Sequence, residues 1–259
     1  MDGKVYAVVK KLALALFFAF LTVVVMYAFR IVFKTYEFIA DVGGVSAFAS
    51  VFGTLYGIII AFVIFEVWVQ FNRLSSLVDR EALGIEKLYR LALYFNDKKI
   101  SLQMKKAVEK YAKVVIKGNF QKLAAGERNK ESSKVFREIY SVIRGIKISN
   151  AREQTVFRHL IDHYDQLSET RTERINQALT RLPALLKVFL YSASIFTLFI
   201  FIVLPFANPF YGFITTGTLG FVIAMVFMII EDLDNPFKGF WKITPEAFER
   251  ALKHIEEDY

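Results

Sequence analysis

The sequence predicts an all-α, four-transmembrane-helix membrane protein in which long helices extend into a helical cytoplasmic domain. Three observations predict it. The chain of 259 residues is 55% hydrophobic and 16% aromatic, with a mean hydropathy of +0.38, more apolar than a water-soluble domain of this length usually is. Its charge is segregated: residues 188–230 contain no Asp, Glu, Lys or Arg, whereas 73–181 hold 23 Lys and Arg against 13 Asp and Glu. Between the apolar runs, hydrophobic residues recur every three to four positions, the period of one buried helical face.

The first apolar run covers 12–33, enough to cross a hydrocarbon layer of about 30 Å. Lys4, Lys10 and Lys11 precede it and place the N-terminus on the cytoplasmic side. It is long for the apolar part of a signal peptide, and the small-residue triplet Ala47-Phe48-Ala49 lies beyond the charged linker 34–41, so the run is read as a retained span. The second run covers 45–71, and the linker before it, poor in Lys and Arg, is expected outside. The third covers 184–204. Pro205-Phe206-Ala207-Asn208-Pro209 then signals a turn, and the fourth run covers 210–230. The organisation expected is two spans in 1–71, a cytoplasmic helical domain in 72–183, two spans in 184–230, and a cytoplasmic acidic turn with an amphipathic helix in 231–259. Both termini are expected in the cytoplasm of a cell bounded by this membrane.

The insert reads as helical throughout. Val78, Ala82, Ile85, Leu88, Ala92 and Phe95 form one stripe. Met104, Val108, Tyr111 and Val115 form a second, and Val135, Ile139, Val142 and Ile146 a third. A fourth runs through Val156, Leu160, Tyr164, Leu167, Arg171, Ile175 and Leu182. Only Gly84 interrupts the stretch from the second span to Phe95, and one glycine does not stop a helix. A single helix of about 75 Å is therefore expected there, with the third span likewise projecting into the cytoplasm. Thr244-Pro245-Glu246 reads as a helix start, followed by the stripe Phe248, Ala251, Leu252 and Ile255.

The net charge of +8 and pI near 9.4 follow from the basic insert and mark its side of the membrane; no aromatic-interleaved basic motif of a nucleic-acid module is present. The chain has no cysteine, which excludes disulfides and thiolate metal sites. Gly-rich phosphate loops, a Gly-x-Ser-x-Gly elbow and a His-Glu-x-x-His helix are absent, and no catalytic residue is predicted. His159 and His163 stand one helical turn apart around Asp162, but zinc needs further ligands and a solvated face is expected instead.

The second span carries the residues of most interest. Ser46, Ser50, Gly53 and Gly57 make a small-residue face suited to close helix packing. Phe48, Phe52 and Tyr56, continued by Ile59 and Val63, make an apolar face that either constricts a pore, where it can gate by dewetting, or faces lipid. Glu66 is the one acid inside a span; such residues face a bundle interior or water, which makes it a selectivity candidate. Arg30 in the first span reads as interfacial.

After the fourth span comes Glu231-Asp232-Leu233-Asp234-Asn235-Pro236-Phe237-Lys238-Gly239. This segment resembles the acidic Asp-Pro-Phe-Gly turn that follows the last span of the bestrophins. It is still more similar to the Leu-Asp-x-Pro-Phe-x-Gly turn of a related family of bestrophin-like membrane proteins. Phe62 to Phe71 with Trp68, Val78-Asp79-Arg80-Glu81-Ala82 leading to Leu88-Tyr89-Arg90, and Arg171-x-x-Arg174 before Pro183 fit that family in order. The resemblance implies a homopentameric ion channel, anion-conducting sooner than cation-conducting, with the second span lining the pore and an apolar neck on it. Chloride or another small anion is then the permeant ion. A ring of Glu66 carboxylates would instead favour cations. The resemblance also makes Glu231, Asp232 and Asp234 candidate oxygen ligands for calcium, against the plainer expectation that they cap amides and pair with basic residues. No other cofactor is expected, and membrane lipid and further copies of the chain are the expected partners. The rival reading is a membrane scaffold or sensor whose basic domain binds a cytoplasmic partner or anionic lipid.

Overall fold

The computed structural model describes residues 3–33 and 41–257. Except for Asp41, the linker expected outside the membrane lies beyond them. The described residues form nine α-helices and one π-turn, with no strand among them, in the order α1 (Gly3–Phe33), α2 (Val42–Leu93), α3 (Lys98–Val114), the π-turn (Val115–Asn119), α4 (Phe120–Ala124), α5 (Lys130–Arg144), α6 (Ala151–Leu179), α7 (Ala184–Val203), α8 (Pro209–Asp234) and α9 (Glu246–Glu257). Four of the helices are long and apolar enough to cross a membrane. The chain divides into two compact units, one of residues 1–69 and 181–234, the other of 70–180 and 235–259.

In the first unit α1 packs on α8 and α7. Ala15, Thr22 and Met26 are buried along one face of α1. Opposite them α8 presents glycines. A Cβ on Gly220 would lie 2.5 Å from Thr22 Oγ1, one on Gly217 3.0 Å from Val23 Cγ2, and one on Gly212 3.1 Å from Met26 Cε. Backbone approach this close is the usual source of helix association in lipid, where burial from water supplies no drive between spans. Arg30 donates from Nη2 to the Leu204 carbonyl at 2.9 Å, at the C-terminal end of α7, and its guanidinium lies 5.6 Å from the Phe206 ring. Asp41 starts α2: its side chain accepts from Gly44 N at 2.8 Å and its carbonyl from Val45 N.

In the second unit the predicted stripes are the core. Val78, Ala82, Ile85, Leu88, Ala92 and Phe95 are buried, as are Met104, Val108, Tyr111 and Val115. Phe248, Ala251 and Ile255 of α9 join them. Gly84 marks the closest approach of α2 to α6, for a Cβ there would lie 2.8 Å from Leu167 Cδ1. Asn96, at φ 52°, turns the chain out of α2, and Asp97 caps α3 through Lys99 N at 2.7 Å.

Several boundaries differ from expectation. The helix through the second span is continuous over 52 residues, about 78 Å. The third span does not continue the same way: α6 ends at Leu179 and α7 begins at Ala184, because Pro183 has no N–H to donate and disfavours a helical Leu182. The fourth helix runs four residues past its predicted end, so Glu231, Asp232 and Asp234 belong to its last turns and not to a loop. Helix α9 begins at Glu246, with the Pro245 carbonyl accepting from Phe248 N and Glu249 N. The π-turn was not foreseen.

Candidate functional site

The apolar face of α2 built from Phe48, Phe52 and Tyr56 is a contact with α7. Phe48 stacks on Phe52 at 5.9 Å between centroids and Phe52 on Tyr56 at 6.2 Å; Phe196 meets Phe52 edge-on at 5.1 Å and Phe48 at 6.0 Å. The Tyr56 hydroxyl is hydrogen-bonded with the Ser194 hydroxyl, beside the Leu190 carbonyl at 3.4 Å. A phenol that must satisfy its O–H away from water finds that partner inside the chain. Tyr56 is 6% exposed and Val63 is equally buried, so these two candidate neck residues are covered within one copy of the chain. Phe52 and Ile59 are half-buried beside them, and only Phe48 is exposed.

Other faces of α2 are bare. A Cβ on Gly53 or Gly57 would meet nothing within 4 Å. Ser46 is half-buried and Ser50 exposed; Ser50 and Thr54 return their hydroxyls to the carbonyls one turn back, at 3.0 and 2.8 Å. Across the helix from Tyr56, Val51, Leu55, Ile58, Phe62 and Phe65 form an exposed apolar ridge at steps of three and four, with Phe62 69% exposed. Glu66 is exposed one turn after Phe62, on the flank of that ridge.

The three acids at the end of α8 are all engaged within the chain. Asp232 pairs with Lys11. Asp234 accepts from Leu182 N at 2.7 Å and from Lys187 Nζ at 2.7 Å, which joins α8 to the start of α7. Glu231 accepts from the Tyr191 hydroxyl at 3.0 Å and lies 3.4 Å from Lys187 Nζ. A calcium site needs several oxygens converging on one point with little competing positive charge. Glu231 and Asp234 share Lys187 and Asp232 pairs with Lys11, and no group of three ligating side chains is gathered among the described residues. The donor set does not fit calcium. The residues after them close a turn in the second unit. Asn235 Nδ2 donates to the Ala124 carbonyl at 3.1 Å, Phe237 stacks on Phe120 at 5.0 Å, and Gly239 takes φ +85°. The His159 and His163 pair likewise gathers no further ligand among the described residues.

The strongest polar constellation of the second unit joins α2, α3 and α6. Arg174 and Glu81 are both fully buried; Arg174 donates from Nε to Glu81 Oε2 and from Nη2 to Oε1 at 3.2 Å. The Tyr111 hydroxyl donates to Glu81, and Arg171 Nε donates to the Tyr111 oxygen at 3.1 Å. Asn119, inside the π-turn, accepts from Arg174 Nη2 at 3.0 Å when its amide is oriented to suit its neighbours. Burial opposes the charge on Arg174, but the Glu81 carboxylate and Tyr111 together outweigh it and hold the guanidinium above its ordinary range. Burial and the same carboxylate push the Tyr111 phenol strongly upward, keeping it a donor. Removing one partner of so buried a pair costs about 3–5 kcal/mol. Sequence reading did not assign this cluster, yet a signal exists. Glu81 borders the stripe of Val78, Ala82 and Ile85, and Arg174 stands one turn from Ala178 and seven residues from Leu167, all buried. Two charges on buried faces must find each other.

The model of the Bestrophin-like domain matches residues 12–248, nearly the whole chain, and the chain belongs to that family. Among solved structures, a membrane protein carrying one substitution superposes with TM-score 0.70 at 10% identity, covering 97% of both chains. A point variant of a bacterial Bestrophin homolog from Klebsiella pneumoniae superposes with TM-score 0.69 at 13% identity, over 93% of this chain and 98% of that one. At such identities the likeness shows the fold. No curated protein matches the chain.

Proposed function

We propose that this bestrophin-like protein assembles as a homopentamer that conducts anions, with α2 lining the pore and the second unit in the cytoplasm. The observation that carries this reading is the pair of bare faces on α2: Gly53 and Gly57 with open space beside them, and the apolar ridge of Leu55, Ile58 and Phe62. Small residues let a neighbouring copy approach closely, and an apolar ring about two turns deep excludes water until it widens. The ridge is better placed as a neck than Tyr56, which α7 occupies, and Val63, which is buried. The Lys and Arg excess of residues 73–181 favours the cytoplasmic side and concentrates anions near the pore through its summed field. Glu66 is the residue that would oppose anion passage.

Planar-bilayer recording of the purified protein under a potassium chloride gradient tests the reading. A reversal potential near the anion equilibrium value is expected, moving closer to it in Glu66→Gln. Phe62→Ala should raise conductance or open probability while leaving selectivity nearly unchanged, since the ridge carries no charge. Silent bilayers with an intact oligomer would instead assign the protein to the scaffold class.

A further inference from the structure

The second unit holds a groove of about 520 Å3 whose lining is dominated by lysines. Lys106, Lys110, Lys113 and Lys117 follow at steps of four, three and four, which keeps them on one face of α3 and the π-turn; α4 adds Lys122. At 1.5 Å per residue the four helical positions extend over roughly 16 Å. The first turn of α5 supplies the opposite wall through Asn129 and Glu131. Gly118 lies in the lining, and a Cβ there would meet nothing within 4 Å, so backbone is open to a ligand at that point.

Part of the charge is already matched. Glu138 holds Lys110 at 2.6 Å, Glu109 lies 3.5 Å from Lys113, and Lys122 reaches the Asn129 side-chain oxygen at 3.4 Å. Among the described residues Lys106 and Lys117 enter no ion pair, and both are exposed. A concave surface with surplus positive charge raises the local concentration of anions. Its volume suits a small ligand, and lysine binds phosphate as a point charge without demanding one fixed geometry. The charge repeats along a line, which matches an anion whose own charges repeat. A π-turn in the wall is the kind of local departure that recurs at functional sites.

We propose that this groove binds a soluble anion carrying two or more linked phosphate groups. The probe is inorganic tripolyphosphate, titrated calorimetrically into the purified full chain in detergent. One saturable site is expected, weakening as potassium chloride is raised. The double variant Lys106→Ala, Lys117→Ala should bind about tenfold more weakly, a change well within reach of two charge-assisted contacts. Lys117→Arg should retain binding, and Lys253→Ala on α9 should leave it unaltered. Absence of saturable heat overturns the proposal, as does an equal loss in Lys253→Ala, which would mean diffuse charge attraction. Orthophosphate binding as tightly as tripolyphosphate removes the requirement for linked groups. Vesicles carrying a phosphorylated inositol lipid supply the last arm. If they bind through Lys106 and Lys117 while tripolyphosphate does not, the groove belongs to a lipid headgroup and the proposal fails.

Discussion

Helices α2 and α8 both carry glycines along an apolar span, and they use them differently. On α8 the glycines are filled from within the chain. Gly212, Gly217 and Gly220 receive Met26, Val23 and Thr22 of α1 so closely that a methyl group would force each neighbour to shift, most of all at Gly220. On α2, Gly53 and Gly57 face open space. Composition and spacing do not separate the two cases; only the third dimension does. The α8 stripe holds one copy of the chain together, and the α2 stripe remains available to a second copy.

The largest effect that sharpens this contrast is expected at Gly220. Gly220→Leu forces side-chain atoms into α1 and should cost about 3 kcal/mol or more, read as a fall of roughly 6–12 °C in unfolding temperature in detergent. Gly53→Leu should leave that temperature nearly unchanged while shifting the native mass spectrum toward smaller assemblies. Equal destabilisation by both substitutions would erase the distinction between the stripes. In the second unit Gly84→Ala meets Leu167 Cδ1, the end of a side chain able to rotate away, so a loss of about 1–2 kcal/mol is expected by chemical denaturation. The smallest effect is expected from calcium. Since Lys11, Lys187 and Leu182 N already engage the α8 acids, calcium at millimolar concentration should move the unfolding temperature by less than about 1 °C. A clear rise would mean those pairs yield to the ion.

Four spans, the long α2 and the buried faces of the second unit were legible in the sequence because hydropathy and a period near 3.6 report directly on environment. The likeness around Leu233 to Gly239 was legible too, and its residues now have separate tasks: Asp234 caps Leu182, and Phe237 stacks on Phe120. What sequence could not assign was which partner each face of α2 has. Phe48, Phe52 and Tyr56 sit four apart whether they face a pore, lipid or a neighbouring helix, and the deciding contacts, Phe196 and Ser194, are about 140 residues away. Glu81 and Arg174, 93 positions apart, were hidden for the same reason. The lysine groove escaped notice because a run of exposed lysines reads as a solvated helix until the first turn of α5 closes its other side.

The π-turn carries a last consequence, one of arithmetic. A ladder that reaches five residues back holds one residue more per turn than its neighbours require. Deleting a single residue between Val115 and Asn119 would therefore let the segment relax into unbroken α-helix instead of tearing it. Residues after it would keep nearly the same face of the helix, because the wider turn already absorbs the extra residue. Phe120 and Leu123, now in the core, would therefore stay in it. A deletion in the regular turns of α3 would instead swing Phe120 and Leu123 by about 100°, so the π-turn is the place where this helix can lose a residue and keep its register.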